Sequence, residues 1–340
     1  MTFLAHPRTA LVLLGVLFAL SRAAPTDVFS PSSTIACPRI PSIVRVNTTL
    51  LAFAEGRHES CSDGSPKSLI VSRSTDAGST WSEPEILVGD SKIIIGNPMP
   101  LVTSSGDVLV QYITASGSAV GDANYMIRST DGGNTFSAPV DISSFLGDFV
   151  GIMPGPSSAV ELSSGRLLFA GHYGPYQFDL TWWSDDDGLT WTISDDKLEG
   201  MDEVAVVELQ DGRLMLNMRT NHLDPCNCRA VAISSDGGET FPEITYDPAL
   251  IEPVCQGSIV SVNDALYFSN PNSTSARVDI TVKKSVDDGA TWSDGELIWA
   301  DAGPGYSGLV GGGVSETQGG IVFERSDDRG DVISFALYQL

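Results

Sequence analysis

The chain has 340 residues, and its 43 acidic side chains outnumber its 19 lysines and arginines, which gives a formal net charge of −24. Such a surface repels the phosphates of nucleic acids and of anionic membranes, so neither is an expected partner. An anionic ligand can be captured only where positive side chains are concentrated, because salt screens the repulsion from the rest of the surface beyond about 8 Å.

Residues 1–23 have the layout of a secretory signal peptide. Arg8 supplies positive charge, residues 10–20 form an apolar run too short to span a bilayer, and Ala23 ends a stretch suited to cleavage. A short membrane anchor is the alternative interpretation. We expect a mature chain, residues 24–340, that is secreted or enters the lysosomal lumen without stable membrane insertion. Cleavage would remove two arginines and leave 17 basic against 43 acidic side chains, a formal charge of −26.

Short runs rich in β-branched and aromatic residues alternate with turn residues along the mature chain. Examples are SIVRV (42–46), SLIVSRS (68–74) and RLLFAG (166–171). Helical periodicity over ten residues or more is almost absent. The pattern therefore predicts an all-β protein.

An eight-residue pattern, Ser-x-Asp-x-Gly-x-Thr followed by an aromatic residue, occurs five times at intervals of 55, 55, 50 and 51 residues. We call each copy a box; the copies are STDAGSTW (74–81), STDGGNTF (129–136), SDDDGLTW (184–191), SSDGGETF (234–241) and SVDDGATW (285–292). A period near 50 residues with about four strands is typical of a propeller blade. The length of the mature chain corresponds to six such periods, so we predict a six-bladed β-propeller with five box turns.

The residue types of the box suit a tightly fixed hairpin turn. The aspartate can accept hydrogen bonds from backbone amides of its own turn, the glycine allows a positive φ, and the Ser and Thr hydroxyls can bind nearby main chain. We expect the final aromatic side chain to lie in the apolar space between blades. One carboxylate per turn suits Ca²⁺ poorly, since that ion takes about six to eight oxygen ligands. The boxes are therefore predicted to be structural.

Five cysteines lie in the predicted mature chain, in a compartment that permits disulfides. Cys226 and Cys228 are separated by one residue, which we expect to be too tight for an ordinary bridge, so each should find a distant partner if it pairs. A zinc site is a weak alternative, because no Cys or His pair follows at the required spacing. Asn47 and Asn272 begin glycosylation sequons.

Segments around the boxes resemble the sialidases (neuraminidases) with Asp-box, or BNR, repeats. Residues 37–57, CPRIPSIVRVNTTLLAFAEGR, resemble the family's opening, with an Arg-Ile-Pro motif ahead of the first box. LQDGRLMLNMR (209–219) and RVDITVKKSVDDGATW (277–292) resemble the segments with the second and third family arginines, and GPGYSGL (303–309) resembles the tyrosine motif.

The order and spacing of these segments agree with the family from residue 38 to residue 340, which implies one sialidase-type propeller domain over residues 24–340. Within the family, NMRTNHLDPCNCR (217–229) looks most like the lysosomal type of animal sialidase.

The resemblance implies a binding site for the carboxylate of a terminal sialic acid. Its three arginines would be Arg39, Arg219 and Arg277, whose planar guanidinium groups suit the two oxygens of a carboxylate. Glu324 matches a glutamate that braces the first arginine, and Arg57 matches an arginine that contacts the O4 region of the sugar. Such a cluster also explains how an acidic protein could hold an anionic substrate.

The resemblance also implies the catalytic residues. Tyr306 would be the nucleophile, since sialidases are retaining glycosidases that use tyrosine in place of a carboxylate. Its unperturbed pKa of about 10 requires a base, and Glu203 matches the family's glutamate for that role. Glu208 is the alternative base. Asp63, in the loop after Arg57, matches the general acid.

Two further expectations concern the surroundings of these residues. Cys37 and Cys61 lie beside Arg39 and Asp63 in sequence, so a disulfide between them would fix the acid loop to the first blade. His172 follows a strand at the expected active face, and the mechanism does not require it. We interpret it as a loop histidine with satisfied hydrogen bonds; a residue that lines the pocket is the alternative.

The function implied is an exo-α-sialidase that hydrolyses terminal sialic acids of glycoproteins, glycolipids or oligosaccharides with retention, through a tyrosyl-enzyme intermediate, without metal or organic cofactor. Three alternatives remain. A trans-sialidase would use the same site with a sugar acceptor, a hydrolase for the deaminated sugar Kdn would differ in the pocket for one substituent, and a non-catalytic sialoside-binding propeller would not need Asp63, Glu203 and Tyr306 together.

Overall fold

The computed structural model of the protein describes residues 24–89, 92–116, 121–221, 226–312 and 315–340. The predicted signal peptide lies outside the described residues. In the described part of the chain the regular structure is β-strand apart from two short 3₁₀ helices, Ser143–Phe145 and Gly147–Phe149. No helix among these residues is long and apolar enough to cross a membrane. The all-β prediction is confirmed.

The strands form six antiparallel sheets, one for each predicted blade. Strand β1 (Thr26–Phe29) comes first in the chain. Blade 1 contains β2 (Cys37–Val46), β3 (Thr49–Arg57), β4 (Lys67–Ser74) and β5 (Glu85–Val88); blade 2 contains β6 (Ile94–Val102), β7 (Val108–Ala115), β8 (Ala123–Ser129) and β9 (Val140–Asp141). Blade 3 contains β10 (Met153–Pro154) and β11 (Val160–Glu161) on its inner side, then β12 (Leu167–Tyr173), β13 (Phe178–Ser184), β14 (Thr192–Ile193) and β15 (Leu198–Glu199).

The second half of the chain continues the same order. Blade 4 contains β16 (Asp202–Glu208), β17 (Leu214–Arg219), β18 (Cys228–Ser234) and β19 (Ile244–Ile251); blade 5 contains β20 (Ser258–Val262), β21 (Ala265–Pro271), β22 (Ile280–Ser285) and β23 (Glu296–Trp299). Blade 6 contains β24 (Ser307–Val310), β25 (Gln318–Asp327) and β26 (Gly330–Gln339), and β1 completes it as its outer strand. The prediction of six blades is confirmed.

The ring closes through both ends of the described chain. Strand β1 pairs with β26, with Thr26 opposite Phe335, and the inner strand β2 packs against both β6 and β24. An outer strand taken from the opposite end of the chain ties the last blade to the first, so the inner strands surround one axis.

The middle strands of each blade are apolar on both faces because each face packs against a neighbouring blade. Strand β13, FDLTWWS, is buried along its whole length, and Trp182 stacks on Phe169 of β12 with ring centroids 6.0 Å apart. A two-sided buried sheet requires nearly continuous apolar strands. This arrangement accounts for runs such as RLLFAG.

The box turns have the predicted hydrogen bonds, and each joins the third and fourth strands of its blade. In the first box the Ser74 hydroxyl donates to Asp76 and accepts from the Gly78 amide, while Asp76 accepts from both the amide and the hydroxyl of Thr80. Gly78 has a φ of 83°. The other four boxes repeat these contacts, which confirms their structural role.

The boxes also connect blades. Trp81 of the first box lies with its ring centroid 5.5 Å from that of Phe335 in blade 6, and Phe136 of the second box lies 6.0 Å from Phe53 in blade 1. The box glycine faces the preceding blade as well, since a Cβ added to Gly133 would lie 2.3 Å from Leu51 Cδ1. Glycine is therefore needed both for its φ and for the close approach.

Candidate active site

The predicted site residues meet at one end of the propeller axis, around a cavity of about 520 Å³. Its lining includes Arg57, Asp63, His172, Glu203, Arg219 and Tyr306. They come from blades 1, 3, 4 and 6, so only closure of the ring brings them together. The last blade also contacts three arginines: Glu324 binds Arg39, Tyr306 binds Arg219 and the Pro304 carbonyl binds Arg277.

Irregular pairing of the inner strands occurs at this end of the blades. The register shifts between Arg39 and Ser42 in β2, and again between Asp202 and Val204 in β16. Ile40 has a φ of 58°, an outlier for a β-branched residue. β-bulges re-aim side chains beside active sites, and these shifts lie directly at Arg39 and Glu203.

Arg39 is held by Glu324. The Arg39 Nε atom lies 2.6 Å from Glu324 Oε1, which also accepts the Ile40 amide at 2.8 Å, and Oε2 accepts the Tyr306 amide at 3.0 Å. The Glu324 side chain is only 1% exposed. Burial alone would lower the pKa of Arg39, but the charge and the hydrogen bond of Glu324, together with the charges of Tyr306 and Glu55, outweigh burial and raise that pKa, so the arginine stays charged. One carboxylate thus fixes both the arginine and the backbone of the tyrosine.

Tyr306 lies in a compact set with Glu203 and Arg219. The Tyr306 hydroxyl donates to Glu203 Oε1, and Arg219 Nη1 donates to Glu203 Oε2 at 2.6 Å and to the tyrosine oxygen at 3.3 Å. Tyr306 is 6% exposed. Burial, followed by the charge of Glu203, raises the pKa of the phenol well above its ordinary value, although Arg219 opposes this. The phenol is therefore neutral at pH 7 and has a carboxylate in position to take its proton.

The three predicted arginines surround Tyr306. The guanidinium carbons of Arg39 and Arg277 lie 5.4 and 5.5 Å from the centre of the tyrosine ring. Arg277 donates to the carbonyl oxygens of Pro304 and Val254, each at 2.9 Å. A guanidinium has five N–H donors, and these two bonds to the carbonyls of described residues use two of them. The cluster concentrates positive charge in a protein whose net charge is strongly negative.

Asp63 lies at the rim of the cavity, with its side chain 90% exposed. Arg57 Nη2 lies 2.8 Å from Asp63 Oδ1 and also 2.8 Å from Glu55 Oε2. A disulfide joins Cys37 to Cys61, with Cα atoms 5.2 Å apart. This confirms the hypothesis that a bridge fixes the acid loop to the first blade.

The sequence reasoning missed a buried charge network under Asp63. Glu55 accepts from Arg57 and from Lys67, whose Nζ lies 2.9 Å away, and it accepts the Asn97 amide at 3.2 Å. Burial would raise the pKa of Glu55, but Lys67 and Arg57 outweigh it and lower that pKa to about 2. A signal was present, because residues two apart on a strand share a face and Glu55 precedes Arg57 by two.

A larger cavity, of about 640 Å³, lies at the opposite end of the same inner strands. Its carboxylates connect blades: Glu161 accepts the Ser104 hydroxyl at 2.9 Å, and Glu208 accepts the Ser163 hydroxyl at 2.7 Å. Glu208, the alternative base, is thus at the far end of β16 from Tyr306. The larger cavity is therefore not the candidate active site, because the predicted catalytic residues line the smaller one.

Two expectations about individual residues are wrong. Cys226 pairs with Cys228. Cys228 begins β18, Asn227 before it has a φ of 48°, and the two cysteine Cα atoms lie 5.2 Å apart, within the range that disulfides span. His172 belongs to strand β12 rather than a loop, is buried, and its Nδ1 has no hydrogen-bond partner among the described residues.

The remaining cysteine, Cys255, is buried and packs with Ile40 and Tyr306. Burial raises the pKa of its thiol to about 12. A thiol with so high a pKa is a poor nucleophile at neutral pH. Cys255 therefore serves as a buried apolar residue that packs against Tyr306.

The fold and the site define the class: a six-bladed β-propeller with an arginine-rich cavity for an anionic ligand at one end of its axis. Residues 48–314 match the family model described as a BNR repeat-like domain. The chain is 33% identical over 335 residues to a sialidase of Bacteroides fragilis, covering 85% of this chain and 60% of that one, and 30% identical over 325 residues to an exo-alpha-sialidase of Arthroderma benhamiae, covering 82% and 74%.

Among solved structures, the Hadza microbial sialidase Hz136 superposes with a TM-score of 0.80 at 28% identity, covering 90% of this chain and 66% of that one. The chain belongs to the sialidase family with BNR repeats. It spans less than two thirds of the length of the Bacteroides relative. The finer resemblance to the lysosomal animal type stays a prediction.

Proposed function

We propose that this protein is an exo-α-sialidase, a glycoside hydrolase that releases terminal sialic acids with retention of configuration. The observation that carries the proposal is the position of the Tyr306 hydroxyl, which donates to Glu203 and lies 3.3 Å from Arg219 Nη1, inside a cluster of three arginines. The names of the family members that the chain resembles support the same activity.

Substrate binding follows from the arginines. A sialic acid has its carboxylate on the anomeric carbon, so fixing that carboxylate with Arg39, Arg219 and Arg277 would place the anomeric carbon near Tyr306. Charge-assisted bonds from fixed guanidinium groups are stronger than neutral ones. Because Glu324 holds Arg39 and backbone carbonyls hold Arg277, little ordering would be needed when the substrate binds.

In the first half of the reaction, the Tyr306 oxygen attacks the anomeric carbon while its proton passes to Glu203. The bond from that carbon to the glycosidic oxygen breaks, and Asp63 gives its proton to the leaving oxygen. A neutral phenol approaches a carbon next to a carboxylate with less repulsion than an anionic nucleophile would. The raised pKa of Tyr306 suits this role, since the proton leaves only during attack.

In the second half, water attacks the same carbon from the face that the leaving group occupied. Asp63, now ionised, takes the proton of the water, the bond to the Tyr306 oxygen breaks, and Glu203 returns its proton to the tyrosine. Two inversions give net retention. The exposure of Asp63 at the cavity rim suits a residue that must meet first the leaving group and then water.

The experiment is release of fluorophore from a 4-methylumbelliferyl sialoside by the purified chain, from about pH 4 to about pH 8, with Tyr306→Phe beside it. We expect the variant to lose about three or more orders of magnitude in kcat. Tyr338→Phe is the matched control, since it also removes one buried tyrosine hydroxyl from blade 6, where that hydroxyl donates to Val310. Tight sialoside binding without turnover would instead indicate a non-catalytic propeller.

Two further arms test the substrate and the acceptor. The matching Kdn substrate compares the two sugars, and added lactose tests whether a sugar replaces water as acceptor. We propose hydrolysis of terminal sialic acids on glycoproteins, glycolipids or oligosaccharides. The ratio of the two turnovers decides which sugar is preferred, and transfer to lactose exceeding hydrolysis would contradict the proposal.

We also propose that the protein passes through the secretory pathway, to the outside of the cell or to the lysosomal lumen, and carries N-linked glycan. The apolar segment at residues 10–20 and the Cys37–Cys61 disulfide support this proposal. Asn47 is exposed in the turn between β2 and β3, whereas the Asn272 side-chain oxygen is buried. Expression in a glycosylating host should shift the mass at Asn47, and a cytosolic, unmodified chain would contradict the proposal.

A further inference from the structure

Behind the active cavity, two buried polar side chains on adjacent strands have atoms without a hydrogen-bond partner among the described residues. His172 of β12 and Asp179 of β13 are directly opposite in the register of the two strands. Both are buried, Asp179 completely. Among the described residues, His172 Nδ1 and both carboxylate oxygens of Asp179 have no hydrogen-bond partner. Buried polar groups without partners are rare and costly, so this pair requires an explanation.

The two side chains complement each other. Directly opposite residues in an antiparallel pair have Cβ atoms about 4.5 to 5.5 Å apart on the same face of the sheet. An imidazole N–H and a carboxylate oxygen at that spacing can form a hydrogen bond after small rotations of the side chains. Burial raises the pKa of Asp179 well above its ordinary value, and the negative charge of Asp202 adds to this. A proton held by the pair is therefore favoured.

The pair connects to the catalytic set through Asp202. His172 lines the active cavity, and its Nε2 lies 3.9 Å from Asp202 Oδ1. The same Oδ1 accepts the backbone amide of Glu203 at 2.8 Å. Glu203 in turn accepts the Tyr306 hydroxyl. The charge of the pair therefore changes the electrostatic potential near Glu203 and Tyr306, where the substrate carboxylate would bind.

Several charged or titratable groups surround the pair. Asp202 and Glu203 from β16 and Arg229 from β18 act electrostatically on Asp179. Arg219 from β17 and Tyr176 from the turn between β12 and β13 lie beside Asp202 and Glu203. Asp202 and Glu203 are acids, while Arg219 and Arg229 are each already bonded to another carboxylate, Glu203 and Glu252. A further negative charge here would lie near two acids, and the arginines among the groups named above, although the charge of Arg229 acts to lower the pKa of Asp179, are already paired with other carboxylates.

We propose that His172 and Asp179 form a pair that holds one proton, and that this proton keeps an extra negative charge away from the sialoside carboxylate. The inference rests on the proposed function. With its proton the pair is neutral overall, whether the proton is on the carboxyl or the ring. When the proton is lost at high pH, the pair has one negative charge, and binding of an anionic substrate weakens. In this proposal His172 and Asp179 touch neither the substrate nor the reacting atoms, and they act only through the charge of the pair beside Asp202.

The kinetic test follows KM and kcat for the 4-methylumbelliferyl sialoside from about pH 4 to about pH 9 in the full chain and in Asp179→Asn. In the wild type we expect KM to rise about tenfold at the alkaline end, the size expected for one added charge near the site. Asp179→Asn cannot acquire that charge, so its KM should stay flat while its kcat changes little. Asp195→Asn, an exposed acid on the outer side of the same blade, is the matched control and should keep the wild-type profile.

A wild-type KM profile in Asp179→Asn, or a uniform change in KM and kcat at every pH, would overturn the proposal. A second measurement does not depend on activity. The chain has four histidines, and ¹⁵N NMR of histidine-labelled protein, with His172→Gln to assign the signal, reads the ring nitrogens directly. We expect Nδ1 to be hydrogen-bonded at neutral pH, as donor if the proton is on the ring and as acceptor if it is on the carboxyl, and its shift to change at alkaline pH when the proton leaves. Ring shifts that are the same in Asp179→Asn as in the wild type and do not change at alkaline pH would contradict the pair, whereas a pH-dependent Nδ1 shift without sialoside turnover would contradict only the proposed function.

Discussion

The box turns and the active cavity both depend on carboxylates that accept several hydrogen bonds, but the two regions differ in where the donors come from. Asp76 of the first box receives its bonds from Ser74 and Thr80, at most four residues away. In the cavity, Glu324 binds Arg39, 285 residues away, and Glu203 binds Tyr306, 103 residues away. A box can therefore form within one hairpin, whereas the cavity exists only when the ring has closed.

The difference predicts that changes in the cavity affect catalysis and changes in the boxes affect stability. The largest effect is expected for Glu203→Gln. The amide keeps the shape of the side chain but cannot take the proton of Tyr306, so kcat should fall by about 10² to 10⁴. Steady-state kinetics measure this. Glu208→Gln, at the other end of the same strand, should keep wild-type kcat, and an equal loss in both variants would contradict the assignment of the base.

Glu324→Gln should affect both properties. The change leaves the charge of Arg39 buried beside a neutral amide, and breaking a buried ion pair costs about 3 to 5 kcal/mol. Urea unfolding should show a loss in this range, and KM should rise because Arg39 is no longer fixed. Glu85→Gln breaks an ion pair with Arg73 at the surface, where the Glu85 side chain is 53% exposed. This change should lower the free energy of unfolding by less than about 1 kcal/mol. Equal losses would contradict the distinction between these pairs.

Gly133→Ala tests the box without touching the cavity. A left-handed φ costs a non-glycine residue about 1 to 2 kcal/mol, and the contact with Leu51 in blade 1 adds about 1 to 3. Gly132→Ala has a similar φ but nothing within 4 Å of the added Cβ, so it should show only the backbone cost. Urea unfolding should rank the two variants in that order, with kcat unchanged in both. A larger loss for Gly132→Ala would contradict the interblade contact.

The smallest effect is expected from the charge of one box aspartate. Backbone and side-chain bonds from Thr135 lower the pKa of Asp131 to about 2, below its value in an unfolded chain of about 3.9. Its contribution to stability is therefore complete above about pH 4 and is lost as pH falls toward 2. Unfolding midpoints between these limits should fall less steeply in Asp131→Asn than in the wild type. If the unfolding midpoints of the two proteins fell equally steeply with pH, the ionised Asp131 carboxylate would not be what stabilises the turn.

The same contrast explains what the sequence could predict. The five boxes and the six blades follow from a pattern that repeats and is fixed by neighbouring residues. The positions of Arg39, Arg219, Arg277 and Tyr306 followed only from resemblance to sialidases, because nothing local links them. The structure brings these four together.

What could not be predicted depends on ring closure or on cross-strand register. The pairing of β1 with β26 joins residues about 300 positions apart, and short apolar strands such as TDVF carry no signal of their partner. The contact of Arg219 with Glu203 is set by a bulge in β16. His172 was read as a loop residue because its strand ends one residue later, so its place opposite Asp179 was missed.

The most direct test of the central claim is to identify the residue that forms a covalent bond with the sugar. The chain would be incubated with 2,3-difluorosialic acid, a slow substrate that lengthens the life of a glycosyl-enzyme, then digested and analysed by mass spectrometry. We predict a label on Tyr306 that is absent in Tyr306→Phe. A label on a carboxylate such as Glu203 or Asp63, in a chain that hydrolyses sialosides, would contradict the tyrosyl mechanism.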